Sequence, residues 1–236
     1  MEPAHAAQLR DEMIERQLLR RGIRDQAVLS AMKSLPRELF VPPEIRADAY
    51  RDEALPIPSG QTISQPYIVA RMTELLAPRK GMRVLEVGTG SGYQTAVLAT
   101  IGCEVISIER RAGLAQTARG RLSDLGLGGR VRIVVGDGSL GWPAAAPFEA
   151  IIVTAAAPRV PPTLLAQLAD GGRLVVPVGT ARAQDLVGVT RLGDAFDERT
   201  FGGCVFVPLV GAEGFSVEAT ENDSSEAARD SWPEWL

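Results

Sequence analysis

The chain has 236 residues, of which 25 are Lys or Arg and 29 are Asp or Glu, so its formal net charge is −4. The segment from Val217 to Leu236 holds six acidic residues and one arginine, a charge of −5, so residues 1–216 carry +1. A nearly neutral body argues against a dedicated nucleic-acid binder and against a polybasic membrane patch. The length fits one domain or a domain with appendages, and the 45% hydrophobic content is that of an ordinary globular protein.

Several residue counts exclude other classes of protein. No apolar run approaches the roughly 20 residues of a membrane-spanning helix, and the start of the chain does not resemble a signal peptide, which predicts a cytoplasmic location. His5 is the single histidine, which argues against histidine-based triads and histidine-rich metal sites, and no metal is expected. Cys103 and Cys204 lie far apart in apolar surroundings and are predicted to be buried thiols.

The first 50 residues predict helices. Apolar residues at helical spacing precede Gly22, which is typical of a helix end, and Asp25 is placed to cap a second helix that Pro36 ends. A third, short helix is expected to follow Pro42-Pro43 and to run through Ala49. The stretch 55–65, which is punctuated by proline and glycine, is predicted to be irregular.

From Pro66 to about Thr190 the pattern alternates between helices and strands. Its strands are short, almost continuous apolar runs, which is typical of a parallel sheet covered by helices on both faces. Residues 184–210 are expected to add two or more strands that close an edge, with an antiparallel arrangement as one option. The predicted helices are 66–77, 91–101, 111–124 and 161–169, and the predicted strands are 83–87, 104–108, 131–135, 150–154 and 173–178.

A glycine-rich turn joins the first of these strands to the next helix. It reads Gly88-x-Gly90-x-Gly92, and Glu86 stands two residues before it. Glycines let a backbone come close to a ligand, and a helix N-terminus offers free N–H donors. The dinucleotide-binding motif Gly-x-Gly-x-x-Gly would require glycine where this chain has Tyr93. A tight turn without any ligand is the alternative interpretation.

Two acidic residues follow the next strands. Glu109 ends the second strand, where a carboxylate can accept both hydroxyls of a ribose, and Asp137 follows the third. Each residue alone fits a helix cap or a solvated loop. Because the carboxyl ends of parallel strands converge on one crevice, the two acids and the glycine turn together predict a nucleoside-type cofactor site.

These motifs resemble those of a known family. The spacing of the glycine turn resembles motif I of the S-adenosylmethionine-dependent methyltransferases, and residues 59–69 (SGQTISQPYIV) closely resemble the protein-L-isoaspartate O-methyltransferases. Similar segments stand at 36–41 (PRELFV), 150–158 (AIIVTAAAP), 171–179 (GGRLVVPVG) and 206–209 (FVPL), so the resemblance spans about residues 12–215.

The resemblance implies a fold and a division of the chain. The fold is α/β: a doubly wound, mostly parallel seven-stranded sheet of the Rossmann-like class I methyltransferase type, with an N-terminal helical extension. Residues 1–58 would form a helical subdomain, residues 59–215 the S-adenosylmethionine-binding domain with its closing strands, and residues 216–236 an acidic tail.

The implied function is protein repair. The family transfers a methyl group from S-adenosyl-L-methionine to the free α-carboxylate of L-isoaspartyl and D-aspartyl residues, leaving S-adenosyl-L-homocysteine. The partners are damaged proteins and peptides that contain isoaspartyl residues; no nucleic acid or membrane is expected, and the chain is predicted to be a monomer. A carboxylate, with a reference pKa of about 4, is ionised at neutral pH, so a chain with a single histidine suits this chemistry.

The resemblance also assigns roles to residues. Ser64 matches the catalytic serine and would hold the substrate carboxylate directly or through water, although the residues alone favour a cap for the helix that begins at Pro66. Asp137 would contact the adenine amino group. The substrate would meet Pro56, Ile57, Val207 and Pro208, for which core packing is the alternative. The cofactor contacts would be Gln61, Thr62, Ile63, Glu86, Gly88, Thr89, Gly90, Gly92, Glu109, Arg110, Asp137, Gly138 and Thr154.

Three other functions stay open at this point. One is a related carboxyl methyltransferase acting on a specific peptide or small carboxylic acid, and another is a binding protein that kept the fold without the activity. The third, an NAD-dependent oxidoreductase, is opposed by Tyr93 and by the lack of a histidine or a tyrosine–lysine pair near the crevice. Val205 stands where many bacterial relatives have arginine. The tail end, Trp232–Leu236, is hypothesised to dock on the body or on a neighbouring chain.

Overall fold

The computed structural model describes residues 2–216, and the first part of this range is helical as predicted. Gly22, at φ 92°, follows the first helical stretch, and the Asp25 carboxylate accepts the N–H groups of Ala27 and Val28 at the start of the second. The expected helix ends are thus confirmed. The elements are α1 (Pro3–Glu12), a π-helical segment (Met13–Leu19), α2 (Gln26–Ser34) and two 3-10 helices (Arg37–Phe40 and Pro43–Asp48).

A small hairpin replaces the irregular stretch expected at 55–65, so that prediction was wrong. Strand β1 (Leu55–Ile57) pairs antiparallel with β2 (Gln61–Ile63). The turn between them holds Ser59 and Gly60 at φ 67° and 65°. Pro56, which argued against a strand, is exposed in the middle of β1, and a proline is tolerated in so short an edge strand because little pairing is lost.

The rest of the described chain alternates between helices and strands, in the predicted order. The expected helix 161–169 ends early and the expected strand 173–178 begins early, because Leu168 already pairs with Phe148 and Gly171, at φ 71°, lies where the register shifts. The elements are α3 (Pro66–Leu76), β3 (Arg83–Val87), α4 (Tyr93–Ile101), β4 (Glu104–Glu109), α5 (Ala112–Asp124), β5 (Val131–Val135), β6 (Phe148–Val153), α6 (Pro162–Ala166), β7 (Leu168–Gly179), β8 (Gln184–Leu192) and β9 (Ala195–Cys204).

Seven strands form one sheet in the order β5-β4-β3-β6-β7-β8-β9. The first five in this order are parallel, and β8 runs antiparallel to both β7 and β9. The predicted mostly parallel, seven-stranded sheet is therefore confirmed. The chain adds β4 and β5 on one side of β3 and then crosses to add β6 on the other side. This change of direction opens a crevice beyond the carboxyl ends of β3 and β6.

The N-terminal helices pack against the helices that follow β2 and β3 and against α5. Leu18, Met32 and Phe40 share a buried cluster with Tyr93 of α4 and Ala118 of α5. The predicted boundaries at 58/59 and 215/216 stay predictions, and the tail and its docking end lie outside the described residues, apart from Ser216 at their edge.

Two further sequence expectations concern the thiols and the membrane. Cys103 and Cys204 are both free, and burial raises the pKa of each thiol to about 11. Cys103 is buried as predicted, whereas Cys204 is only partly buried, so that expectation was right for one thiol alone. Within residues 2–216, no helix is long and apolar enough to cross a membrane.

Candidate active site

The glycine turn has the backbone that its sequence predicts. Gly88, Gly90 and Gly92 have φ values of 99°, 53° and 87°, a region that favours glycine. A Cβ atom added to Gly88 would lie 2.5 Å from Oγ1 of Thr154. That hydroxyl donates a hydrogen bond of 2.6 Å to the Gly88 carbonyl, so the end of β6 fastens the turn at the end of β3.

Glu109 closes the same turn from the end of β4. Its Oε2 accepts the N–H of Gly90 at 2.8 Å and its Oε1 accepts the N–H of Arg111 at 2.9 Å. The side chain is almost buried but lines a cavity in front of the turn. Each carboxylate oxygen can accept more than one hydrogen bond, so Glu109 keeps acceptor capacity toward that cavity.

This first cavity brings most of the predicted cofactor residues together. Its wall also includes Ser64, Val207 and Pro208. The side-chain-free Gly88 and Gly90 and a carboxylate at the neighbouring strand end form a cradle that suits an adenosine-type group. The predicted cofactor residues that line the cavity are Gln61, Thr62, Ile63, Gly88, Thr89, Gly90, Glu109, Arg110, Gly138 and Thr154.

Two of the predicted cofactor residues lie behind the turn and not in the cavity. Glu86 is completely buried, its Oε2 accepts the hydroxyl of Thr95 at 2.5 Å, and burial raises the pKa of its carboxyl group to about 7. Gly92 faces Ala118, whose Cβ would be 3.2 Å from an added Cβ. These two residues therefore shape the turn from the side of the protein interior.

Asp137 also lies outside the wall of the cavity. Its Oδ1 accepts the N–H of Ser139 at 2.9 Å and its Oδ2 accepts the N–H of Ala212 at 2.7 Å. Burial alone would raise the pKa of this carboxyl group, but the hydrogen bonds and the charge of Arg110 hold the pKa below its usual value. The aspartate thus ties the loop after β5 to the end of the described chain, and Gly138 beside it lines the cavity.

Ser64 lies where two cavities meet. The helix α3 is preceded by Gln65 and has no side-chain cap, so the alternative role of Ser64 as a helix cap was wrong. Ser64, Thr62, Thr154 and Val207 line both the first cavity and a second one. The Ser64 hydroxyl makes no hydrogen bond with any residue in the described range, so its donor and its acceptors are available to a ligand.

A charged residue, Arg21, lines the second cavity. Arg21 and Asp52 form an ion pair of 2.5 Å, and the Arg21 guanidinium lies 3.4 Å from the centre of the Tyr67 ring. Val205 is 75% exposed and lines the same space. Of the four predicted substrate residues, Val207 alone lines this cavity.

The remaining predicted substrate residues lie elsewhere. Pro208 lines the first cavity, whereas Pro56 is exposed on β1 and Ile57 is buried in the core cluster of the N-terminal helices. Core packing, the alternative interpretation, describes Ile57 well.

Arg37 is a site residue that the sequence analysis did not single out. Its side chain is completely buried. Nη2 donates a hydrogen bond of 2.8 Å to the carbonyl of Ser64, and Nε donates one of 2.6 Å to the carbonyl of Ala49. The guanidinium also lies 4.8 Å from the centre of the Tyr93 ring. A cation close to the apolar run Leu39–Val41 was the available signal, because a buried charge needs dedicated partners.

The comparisons with known proteins agree with this geometry. Residues 8–214 match the model of the family described as protein-L-isoaspartate(D-aspartate) O-methyltransferase. The chain belongs to this family. The predicted family and enzyme class are thereby confirmed: the chain is an S-adenosylmethionine-dependent methyltransferase of the protein-L-isoaspartate (D-aspartate) O-methyltransferase family.

Relatives within the family cover nearly the same length. A protein-L-isoaspartate O-methyltransferase from Methylorubrum populi is 58% identical over 209 residues, which is 87% of this chain and 98% of the relative. Another, from Methanoculleus marisnigri, is 50% identical over 211 residues, which is 89% of this chain and 96% of the relative. The family resemblance read from the sequence is thus found over the whole catalytic body.

Two solved structures share the fold. A protein-L-isoaspartate O-methyltransferase superposes with a TM-score of 0.77 at 30% identity, covering 87% of this chain and 67% of that one. An enzyme from Plasmodium falciparum, solved in complex with S-adenosyl-L-homocysteine, gives a TM-score of 0.73 at 26% identity and covers 85% of this chain and 98% of that one. The methyltransferase fold and the predicted cofactor are confirmed.

Proposed function

We propose that this methyltransferase repairs damaged proteins by methylating the free α-carboxylate of L-isoaspartyl and D-aspartyl residues, with Ser64 holding that carboxylate. The observation that carries the proposal is the position of Ser64. Its hydroxyl has no partner among the described residues, and Ser64 lies in the shared wall of two cavities, one of which is also lined by the glycine turn and Glu109.

The first cavity would hold the cofactor. Glu109 would accept the ribose hydroxyls, and the backbone at Gly88 and Gly90 would lie against the rest of the molecule, because no side chain intervenes there. Gln61, Thr62 and Ile63 would cover the cofactor from the hairpin side. The buried Glu86 and the bonded Asp137 would act indirectly, by fixing the turn and the loop after β5.

The second cavity would hold the damaged peptide. Arg21 lines it and offers donors that match the C=O groups of any peptide backbone. The substrate would contact Val207 on the shared wall and Val205 on the exposed side. Recognition of the backbone suits a repair enzyme, because the residues that flank a damaged aspartate vary.

The chemistry requires orientation and not a base. When bound, the cofactor supplies a methyl group on a positively charged sulfonium. The substrate carboxylate is already ionised at neutral pH, so ester formation removes no proton. Ser64 would donate a hydrogen bond to one carboxylate oxygen and leave the other directed at the first cavity, which gives the rate benefit of a fixed approach. Arg37 would hold the Ser64 carbonyl while this happens.

A panel of peptides tests the proposal. Matched peptides that contain L-isoaspartyl, D-aspartyl or L-aspartyl at one position would be incubated with labelled S-adenosylmethionine. We expect label in the first two and almost none in the third. If L-aspartyl peptides were methylated as fast as the isoaspartyl peptide, the repair function would be wrong and the related carboxyl methyltransferase would replace it.

Two variants test the role of Ser64. We expect Ser64→Ala to lower kcat on the isoaspartyl peptide at least about tenfold, with the affinity for S-adenosylhomocysteine unchanged. Ser123→Ala, an exposed serine on α5, is the matched control and should keep full activity. Unchanged turnover in Ser64→Ala would remove Ser64 from the mechanism. A lack of turnover in the unmodified protein would favour a binding protein.

Calorimetry separates the cofactor classes. S-adenosylhomocysteine should bind and NAD should not, since Tyr93 occupies the place of the third glycine of the dinucleotide motif. The monomeric state, the cytoplasmic location and the absence of a nucleic-acid partner stay predictions from the sequence.

A further inference from the structure

A third cavity, of about 320 Å³, lies behind the glycine turn, between the segment that begins at Phe40 and helix α5. Gly90 and Ser91 line both this cavity and the first one, so the turn separates the two spaces. Most of its wall is apolar and includes Phe40, Ile57 and Leu114. Neither the cofactor nor the peptide of the proposed function would need this space.

Two arginines face this cavity without an acidic partner. Arg46 and Arg121 both line it, and no Asp or Glu does. Among the residues of the described range, neither guanidinium forms an ion pair, and Nε of Arg46 is buried without any hydrogen-bond partner. Arg121 Nη1 donates a hydrogen bond of 2.5 Å to the carbonyl of Ser91, and the Arg121 guanidinium lies 5.4 Å from the centre of the Phe40 ring.

The two positive charges are close enough to disfavour each other. Burial, and after it the charge of Arg46, lowers the pKa of Arg121. A buried donor without a partner and a pair of like charges are both unfavourable unless an anion completes the arrangement. The apolar walls mean that the anion would carry an apolar body.

We propose that this cavity binds a phosphomonoester with a compact aromatic or apolar body. A phosphomonoester carries a charge between about −1.5 and −2 at neutral pH, which matches two guanidinium groups, whereas a monocarboxylate neutralises only one. Guanidinium groups donate two parallel hydrogen bonds to phosphate oxygens, and the volume lies at the lower end of the range for small-molecule sites, about 300–1,000 Å³. The phosphate would lie between Arg46 and Arg121, and the body against Phe40 and Leu114.

Calorimetric titration with phenyl phosphate at pH 7.5 tests the proposal. The protein would first be saturated with S-adenosylhomocysteine, so that the cofactor cavity is filled. We expect one phenyl phosphate to bind per chain, with benzoate at least tenfold weaker. Arg46→Met should weaken the binding of phenyl phosphate at least tenfold. Arg16→Met, which removes an exposed charge paired with Glu12, should leave it unchanged.

Three results would each overturn the proposal: no binding of phenyl phosphate to the saturated protein, equal affinity for benzoate, or equal affinity for phenyl phosphate in Arg46→Met. Because the Arg46 guanidinium makes no hydrogen bond within the described range, the variant should fold, and its affinity for S-adenosylhomocysteine reports on that. Arg46→Gln is a second variant with the same expected loss. The peptide methylation assay is independent, so failure here is distinguishable from failure of the proposed function.

Discussion

Arg37 is the residue on which the position of the Ser64 loop depends most directly. Burial of its charge is unfavourable and lowers the pKa of the guanidinium. The carbonyl groups of Ser64 and Ala49 and the face of the Tyr93 ring offset this cost. A buried cation with main-chain partners fixes backbone positions, which is what the proposed hydrogen bond from Ser64 to a substrate carboxylate requires.

Replacement of Arg37 should therefore affect stability and catalysis together. Arg37→Met leaves two carbonyl groups without their donor, and we expect the free energy of unfolding to fall by about 3 kcal/mol. When kcat is calculated per folded molecule, its fold-decrease for the isoaspartyl peptide should exceed the fold-decrease in affinity for S-adenosylhomocysteine. Denaturant unfolding and steady-state kinetics measure the two effects. An equal loss in Arg20→Met, an exposed arginine of the same charge, would contradict this role.

Gly88 gives a second prediction at this scale. In Gly88→Ala the new methyl group would meet Thr154 Oγ1 at 2.5 Å, at a φ of 99° that alanine rarely adopts. The turn must shift, and we expect the dissociation constant of S-adenosylhomocysteine to rise at least about tenfold, or about 1.4 kcal/mol. Gly120→Ala, in the open middle of α5, should instead raise stability by about 0.5–1 kcal/mol. Comparable losses in both variants would count against a specific role of the turn.

The role of the glycines could be predicted from sequence, while the partners of Arg37 could not. The function of Gly88 follows from its place between an apolar strand and a helix, a local pattern. The function of Arg37 depends on a carbonyl 27 residues away along the chain, and sequence spacing does not indicate such a contact. Asp137 illustrates the same limit, since its partner Ala212 is 75 residues away.

Among the elements, the β1–β2 hairpin has the greatest effect on the site, because it leads directly into Ser64. Its strands have only three residues each, too few for an alternating pattern to indicate a strand. Helices and strands of the sheet were predictable because their apolar runs are longer. The early start of β7 was missed because pairing with β6, not local sequence, determines it.

The turn of this hairpin holds strain that a substitution can release. Ser59 is not a glycine, yet its φ is 67°, a conformation that costs about 1 kcal/mol for an L-residue. We expect Ser59→Gly to raise the free energy of unfolding by about 0.5 kcal/mol. The gain is smaller than the released strain because glycine has a higher conformational entropy in the unfolded chain. The matched change, Gly60→Ala at φ 65°, should lower it by about 1 kcal/mol. Thermal unfolding measures the effect: melting temperatures that shift in opposite directions in the two variants would confirm the prediction, and shifts of the same sign would contradict it.

For the whole molecule, Glu86 makes stability depend on pH. Burial raises the pKa of its carboxyl group from 4.5 to about 7, so the folded protein keeps this proton to a higher pH than the unfolded chain does. Between these two values the unfolded state binds fewer protons, and the free energy of unfolding falls as the pH rises. The contribution of the protonated carboxyl group is complete below pH 4.5 and lost above about pH 7.

Glu86→Gln removes this titration and keeps an acceptor for Thr95. The variant should gain stability relative to the wild type as the pH rises from 4.5 to 7, and the difference should then stay constant. The exposed Glu44→Gln is the control and should follow the wild-type curve. Urea unfolding at a series of pH values gives the measurement, and parallel curves for wild type and Glu86→Gln would disprove the prediction.

The hydrogen bond from Arg37 to Ser64 has a practical consequence, because the guanidinium holds the main chain of Ser64 and leaves its hydroxyl alone. Deletion of the hydroxyl leaves the anchor in place, so Ser64→Ala should remain folded with both cavities intact. Such a protein would bind its substrates and release them largely unmodified. Immobilised on a resin, the variant would serve as an affinity reagent that enriches polypeptides containing isoaspartyl or D-aspartyl residues.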